Sequence, residues 1–329
     1  MREHEAFVMQ HHVIIGAGPV GSGVAKLLVD AGTPVTVITR SGTGLHHPLA
    51  TLVAGDASDA ELITLRATGA HAIYNCANPA YHRWSTDWPP MHRAMMAAAE
   101  RTGAVLVMMD NLYAFGPAGT MPMHEGDEMR ATGTKGAMRA TMARELLQGH
   151  ALGKFRATLV RASDFFGPHV LGSAFGERAI PKVLSGKKVS LLGKVDVAHS
   201  ASYMPDVVRT LVAVAADDRA WGKPWHAPTA AQCTQRELIQ ALATAAGTKA
   251  SVGAVPKIAL SALGLFVPMM RELKETWYQF DQPWIVDSTL TEATFGLRAT
   301  PLDVAALETV TWWQGRSSTV SEVLSSATN

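Results

Sequence analysis

Residues 13–21 read Val13-Ile14-Ile15-Gly16-Ala17-Gly18-Pro19-Val20-Gly21, and the chain then runs through a helix-like stretch to Val35-Thr36-Val37-Ile38-Thr39-Arg40. An apolar strand that breaks into G-x-G-x-x-G and opens a helix is a phosphate-binding arrangement. The first glycine permits the tight turn, the second lets the backbone approach a pyrophosphate, and the third lets helix and strand pack closely. The helix N-terminus adds unpaired N–H groups and a partial positive charge. Val20, Val24, Leu27 and Leu28 form one apolar helical face, Asp30-Ala31-Gly32 ends the helix, and Pro34 leads into the second strand. This context assigns Gly16, Gly18, Pro19, Val20 and Gly21 to a bound dinucleotide.

The residue closing the second strand selects the dinucleotide. A ribose 2′-hydroxyl is usually held by Asp or Glu about 20 residues beyond the glycines, whereas a 2′-phosphate needs a cation. Arg40 stands there, between Thr39 and Ser41, with Gly42 and Gly44 following. A guanidinium flanked by hydroxyls suits a phosphate, so NADP(H) is expected in preference to NAD(H).

Composition narrows the class. The 329 residues are 47% hydrophobic with a net charge of +1, enough for one large α/β domain or a nucleotide domain with an appendage. Neither a nucleic-acid surface nor an acidic tail is indicated. The two cysteines, Cys76 and Cys233, fit no metal spacing, and the 13 histidines include only adjacent pairs, His11-His12 and His46-His47, so no metal is expected. With no signal peptide and no long apolar run, a cytoplasmic location is expected. Pro256, Lys257 and Pro268 interrupt the apolar stretch 254–270, which argues against a membrane span.

Strand-like and helix-like runs alternate through the first half, the pattern of a doubly wound parallel α/β sheet of Rossmann type. Strands are expected at 51–54, 72–75, 105–109 and 158–160, with helices near 58–68, 90–102 and 135–150. Pro89-Pro90 is expected to open the second of these helices, and Asp206 to cap a later one. A nucleotide domain is therefore expected over residues 1–165, regaining about 203–220, with a smaller, discontinuous C-terminal substrate lobe at 166–202 and 221–329. Residues 1–9 read as an extension and the Ser/Thr-rich tail after Gly315 as frayed.

The ordered motifs resemble the extended short-chain dehydrogenase/reductase superfamily, the NAD-dependent epimerase/dehydratase group, over nearly the whole chain. Its marks are the glycine loop, Asp56, Asn75-Cys76-Ala77, Asn111-Leu112-Tyr113-Ala114-Phe115-Gly116-Pro117, Glu125 and Thr132-Gly133-Thr134-Lys135-Gly136. Arg161-Ala162-Ser163-Asp164-Phe165-Phe166-Gly167-Pro168, Tyr203-Met204-Pro205-Asp206-Val207 and Phe295-Gly296-Leu297 follow. The resemblance implies that Asp56 lies near the adenine, that Asn75, Cys76 and Ala77 lie beside the cofactor, and that Lys135 anchors the nicotinamide ribose. It also implies a dimer through the helices near 90–102 and 135–150.

The departures concern proton handling. Such enzymes use a Ser or Thr after the fifth strand and a Tyr four residues before the lysine, whose cation lowers the phenol's pKa. Here Asn111 and Ala131 occupy those positions. Three readings follow. Another donor could act: Tyr113 is the first choice, ahead of Tyr81, His82 and Tyr203. The segment Thr132-Gly133-Thr134-Lys135 is also similar to the progesterone 5β-reductase/iridoid synthase branch, but that branch's later phenol motif is not found between Lys135 and Arg161. A reaction that needs no strong acid could rely on Asn111 to polarise the acceptor. A noncatalytic NADP(H) sensor of the NmrA-like kind is the third reading.

The aromatic residues Tyr81, Trp84, Trp88, Phe165 and Phe166, with those near 266–284, suggest an apolar substrate. The leading expectation is thus an NADPH-dependent reductase of a small carbonyl, enone or imine. A nucleotide-sugar epimerase/dehydratase is the alternative, with Arg178, Lys182, Arg271 and Lys274 available for a second diphosphate. A small-molecule substrate, no nucleic-acid partner, no membrane and a possible homodimer complete the expectation.

Overall fold

The computed structural model describes residues 11–230, 233–258 and 272–326, with side chains of the last helix described as far as residue 316. Residues 1–9, Arg271 and residues 259–270 of the apolar stretch lie outside the described residues. The first strands are β1 (His12–Ile15), β2 (Val35–Thr39), β3 (Ala50–Ala54), β4 (Ala72–Asn75), β5 (Val105–Asn111) and β6 (Ala157–Ala162). Then come β7 (Asp164–Phe166), β8 (Val189–Leu192), β9 (Ala201–Tyr203), β10 (Pro224–His226) and β11 (Val252–Val255). A seven-stranded sheet takes the order β10-β6-β5-β4-β1-β2-β3, the Rossmann order with one added strand. The pairings from β3 through β2, β1 and β4 to β5 are all parallel.

The helices follow the apolar periodicity. They are α1 (Pro19–Asp30), α2 (Ala60–Ala67), α3 (Trp84–Thr102), α4 (Thr134–Ala151), α5 (Ile180–Leu184), α6 (Met204–Ala216) and α7 (Gln235–Ala245), with a last long helix at Leu302–Ser326. Two starts differ from expectation. Helix α3 begins six residues before Pro90 and carries Pro89 and Pro90 inside it. Trp84, Trp88 and Met91 are buried along one helical stripe, which holds the opening turns on the core despite the prolines. Asp206 lies within the first turn of α6, and its carboxylate accepts from Thr300 N at 2.8 Å and Thr300 Oγ1 at 2.7 Å. It therefore ties down the C-terminal segment rather than capping its own helix. The last helix continues through the Ser/Thr-rich residues expected to fray.

The chain divides into two compact units. The first comprises Met1–Met109, Thr141–Val160 and Leu211–Pro224; the second comprises Asp110–Ala140, Arg161–Thr210 and Trp225–Asn329. Within the first, Val13, Ile14, Ile15, Val24, Val37, Ile38, Ile73 and Met95 are buried around the central strands. Within the second, β7 pairs with β9 and β8 with β11. Phe166, Phe175, Ile180, Leu191, Leu238, Leu242, Val310 and Trp313 share one apolar cluster there. Leu112, Phe115, Met123, Trp284 and Val286 form another.

The aromatic residues read as substrate-facing are mostly core. Trp84, Trp88, Phe166, Trp277, Phe280 and Trp284 are buried, while Tyr81, Phe165 and Tyr278 are half-buried. Large aromatic side chains contribute the most apolar area per residue, so the core recruits them first. Among the described residues, no helix is long and apolar enough to cross a membrane.

Candidate active site

The glycine loop is built at the carboxyl end of β1, between β2 and β4. Ile15 stands in register with Ile38 on one side and Asn75 on the other. Gly16 N–H donates to Ile38 O at 2.9 Å, and Cys76 N–H donates to Ile15 O at 2.9 Å, so three loops leave the sheet together. Gly16 has φ +95°, and a Cβ there would lie 2.8 Å from the Ala77 backbone. A Cβ on Gly21 would lie 1.9 Å from Gly16 O. Gly18 is the opposite case, with open space where its Cβ would stand.

Two glycines therefore close the turn and the third leaves it open. Gly18 is the N-cap of α1, Pro19 opens the helix, no side chain caps it and no acidic residue lies in its first turn. The first N–H groups of a helix have no partner within it, and their partial positive charge favours an anion. An exposed glycine at such a terminus leaves these N–H groups open to an anion the size of a pyrophosphate.

Arg40 is exposed beyond the end of β2. The loop behind it is ordered by Thr39 Oγ1 donating to Thr43 O at 2.8 Å and by a 2.7 Å contact between the Ser41 and Thr43 hydroxyls. Asp56 accepts from Ser58 N at 2.7 Å and Ser58 Oγ at 2.6 Å. These bonds, with the Arg40 charge, hold its carboxyl below the usual range. Asn75 is fully buried, accepting from Ala77 N at 3.2 Å and directing Nδ2 at Met108 Sδ. It shapes the loop after β4 from beneath. Burial pushes the Cys76 thiol up to about 12, so it stays a neutral packing group.

A second cluster is built in the other unit, around the start of α4. Asn111 Oδ1 accepts from Tyr113 N at 3.0 Å, fixing the turn Tyr113–Phe115 that follows β5. Ala131 lies three residues before α4, its N–H donating to Ala114 O at 3.0 Å. Gly116, with φ +69°, and Gly136 press against Ala131. A Cβ on Gly116 would lie 2.7 Å from the Ala131 Cα, and one on Gly136 would lie 2.5 Å from its Cβ.

Lys135 is buried, and its ammonium pairs with Glu272 and lies 3.8 Å from Glu275 Oε2. Its backbone N–H donates to Glu275 Oε1 at 2.6 Å. That N–H belongs to the first turn of α4, so Glu275 caps the helix from far along the chain. A Cβ on Gly133 would lie 2.6 Å from Glu275 Oε1, so this glycine makes room for the carboxylate. Sequence reasoning missed Glu272 and Glu275; Gly133 beside Lys135 was the only local signal.

Deeper in this unit Asp110 bridges two buried guanidiniums, at 2.5 Å to Arg139 Nη2 and 3.3 Å to Arg161 Nε. Glu125 is buried, accepting from Thr291 Oγ1 at 3.2 Å and His226 N at 3.4 Å, and burial raises its pKa. His226 is held neutral by burial, its pKa lowered to about 3. Tyr203, one of the candidate acids, is buried with its hydroxyl donating to Glu308, and burial raises its pKa further. It belongs to the core. Tyr81 packs edge-on against Trp84, and His82 is exposed. Arg178, Lys182 and Lys274 are exposed.

Among solved structures, a dTDP-glucose 4,6-dehydratase from Bacillus anthracis in complex with NAD superposes with a TM-score of 0.74. It is 16% identical, over 93% of this chain and 97% of that one. A UDP-glucose 4-epimerase from Thermotoga maritima gives 0.75 at 16% identity, over 93% and 99%. An epimerase from Methanothermobacter thermautotrophicus gives 0.78 at 14%, over 95% of both. At such identities the likeness is one of fold. No curated protein matches the chain in sequence. The model of the NAD dependent epimerase/dehydratase family matches residues 13–226, from the first strand of the glycine loop through Lys135 to the last strand of the large sheet. The glycine loop and the Rossmann strand order agree with that match, and the chain belongs to the NAD dependent epimerase/dehydratase family.

Proposed function

We propose that this family member uses a nicotinamide dinucleotide to transfer hydride at a hydroxyl-bearing carbon of a polar, sugar-like substrate, with nucleotide sugars the first class to test. The observation that carries this reading is the burial of Trp84, Trp88, Phe166, Trp277, Phe280 and Trp284. An apolar substrate was expected from such residues, and a side chain closed off in the core does not line a pocket. The epimerase/dehydratase alternative therefore moves ahead of the reductase, and the family membership and the nucleotide-sugar enzymes among the similar folds support the same order.

The dinucleotide supplies the hydride acceptor when bound. Residues 16–21 and the α1 N-terminus would hold its pyrophosphate. Arg40, with the hydroxyls of Ser41 and Thr43 nearby, would hold a 2′-phosphate, which favours NADP(H) in this chain although the Bacillus anthracis dehydratase was solved with NAD. Lys135 would donate to the nicotinamide ribose; an ammonium has three donors, so a carboxylate partner and a hydroxyl are compatible. Asn111 spends its carbonyl on the turn and, among the described residues, its amide N–H groups on no partner, which leaves them for a substrate oxygen.

Incubation with NADP⁺ or NAD⁺ and a panel of UDP- and dTDP-hexoses, read by NMR of the sugar, tests the proposal. An epimerised, dehydrated or oxidised sugar is the expected result. Inert sugars together with NADPH consumption on aldehydes, enones or imines would overturn it in favour of the reductase.

A further inference from the structure

Lys135 retains its place in the family pattern without the phenol it normally serves, yet its ammonium is not left without an acidic partner. Glu272 contacts Nζ directly, and Glu275, three residues further along the same segment, is locked onto the Lys135 N–H at 2.6 Å. The two carboxylates differ in freedom. Glu275 is fixed as the cap of α4, in space left by Gly133. Glu272 has its second oxygen uncommitted to any backbone donor among the described residues, and its side chain is 30% exposed against 8% for Lys135. An accessible oxygen on a carboxylate oriented by its cationic partner can exchange a proton with a substrate.

We propose that Glu272 is the proton-exchanging catalytic residue of this chain, taking over the task of the phenol absent at Ala131, with Glu275 as the positioning residue that brings it to Lys135. The proposal rests on the hydride-transfer reading above. In the oxidising direction the hydroxyl proton of the substrate passes to the Glu272 carboxylate. The hydride on the same carbon passes to the oxidised nicotinamide dinucleotide, leaving a carbonyl, a reduced dinucleotide and a neutral carboxyl. The reducing direction returns both to the substrate. Lys135 orients the carboxylate through their ion pair.

Two readouts test this, one of them independent of turnover. A carboxylate at the reacting end favours the positively charged oxidised nicotinamide over the neutral reduced ring. In Glu272→Gln the affinity for NADP⁺ relative to NADPH should fall several-fold, and turnover should fall on the order of 100- to 1000-fold. Glu272→Asp, which keeps the charge, should retain the affinity ratio and recover part of the turnover. A Glu272→Gln protein that melts like the wild type and keeps either the ratio or the turnover would overturn the inference alone. A wild-type protein that binds neither dinucleotide would overturn the hydride-transfer reading and this one with it.

Discussion

The glycine loop and the Lys135 cluster are made in different ways. At the glycine loop the turn itself is made within a few residues, although Ile38 and Ala77 abut it: Gly16 turns, Gly21 packs, Gly18 stays open, and α1 begins immediately after. At Lys135 the requirements are met across the chain, because its carboxylate partners lie 137 and 140 residues further on. A site assembled from local sequence resists change residue by residue. One assembled from distant segments can lose a phenol and gain a carboxylate while the fold stays the same. That contrast accounts for an intact G-x-G-x-x-G loop beside a lysine whose fourth preceding residue is Ala131.

Acid should expose the contrast most strongly. His226, in the second unit, is held neutral with its pKa lowered from 6.5 to about 3, and His12, in the first, from 6.5 to about 4. The unfolded chain takes up these protons near 6.5 while the folded protein refuses them. Both contributions are therefore complete above pH 6.5 and are lost as pH falls towards the folded values. His226 accounts for at most about 4–5 kcal/mol and His12 for about 3 kcal/mol. Denaturant melts between pH 7 and 3 should show a stability slope that both His226→Gln and His12→Gln reduce down to about pH 4, with only His226→Gln reducing it further below that pH. Equal slopes below pH 4 would erase the distinction.

Next in size is the glycine pair. Gly21→Ala forces a Cβ to within 1.9 Å of Gly16 O, and should cost about 1–3 kcal/mol in thermal stability along with most dinucleotide affinity. Its readouts are the melting temperature and a fluorescence titration. An unshifted melt would mean that the loop is not closed as described.

Arg40→Asp should come third. Removing the cation and adding a carboxylate should weaken NADPH binding by about 10- to 100-fold and leave NADH binding unchanged or tighter. Equal loss for both dinucleotides would remove Arg40 from the 2′-position. The smallest effect is expected from Asn111→Ala, which deletes the acceptor of the Tyr113 N–H. It should cost about 1 kcal/mol in stability, read by denaturant melts. A larger drop in turnover than in stability would mark the Asn111 amide as a substrate contact.

Sequence legibility followed the same division. The strands around the glycine loop were readable because a short apolar run ending in spaced glycines has few other uses. The late tryptophans were not, because core and pocket draw on the same side chains, and only burial separates Trp84 or Trp284 from a ligand wall. Asp206 read as a cap from its position before an apolar run, whereas its partner is Thr300, 94 residues away. Pro89-Pro90 read as a helix start, yet tertiary burial of Trp84 and Trp88 carries the helix back past them. The carboxylates at Lys135 left only Gly133 as a local trace.

The central claim is that the open face of the glycine loop holds a dinucleotide, and it is tested most directly at Gly18. Wild type and Gly18→Ala should be titrated side by side with NADPH by fluorescence, with melting curves of both free proteins. The account predicts saturable binding to the wild type, about tenfold weaker in the variant, at unchanged melting temperature, because the added Cβ meets only open space in the free protein. Equal affinity in the two proteins, or a melting temperature that falls with the affinity, would contradict it.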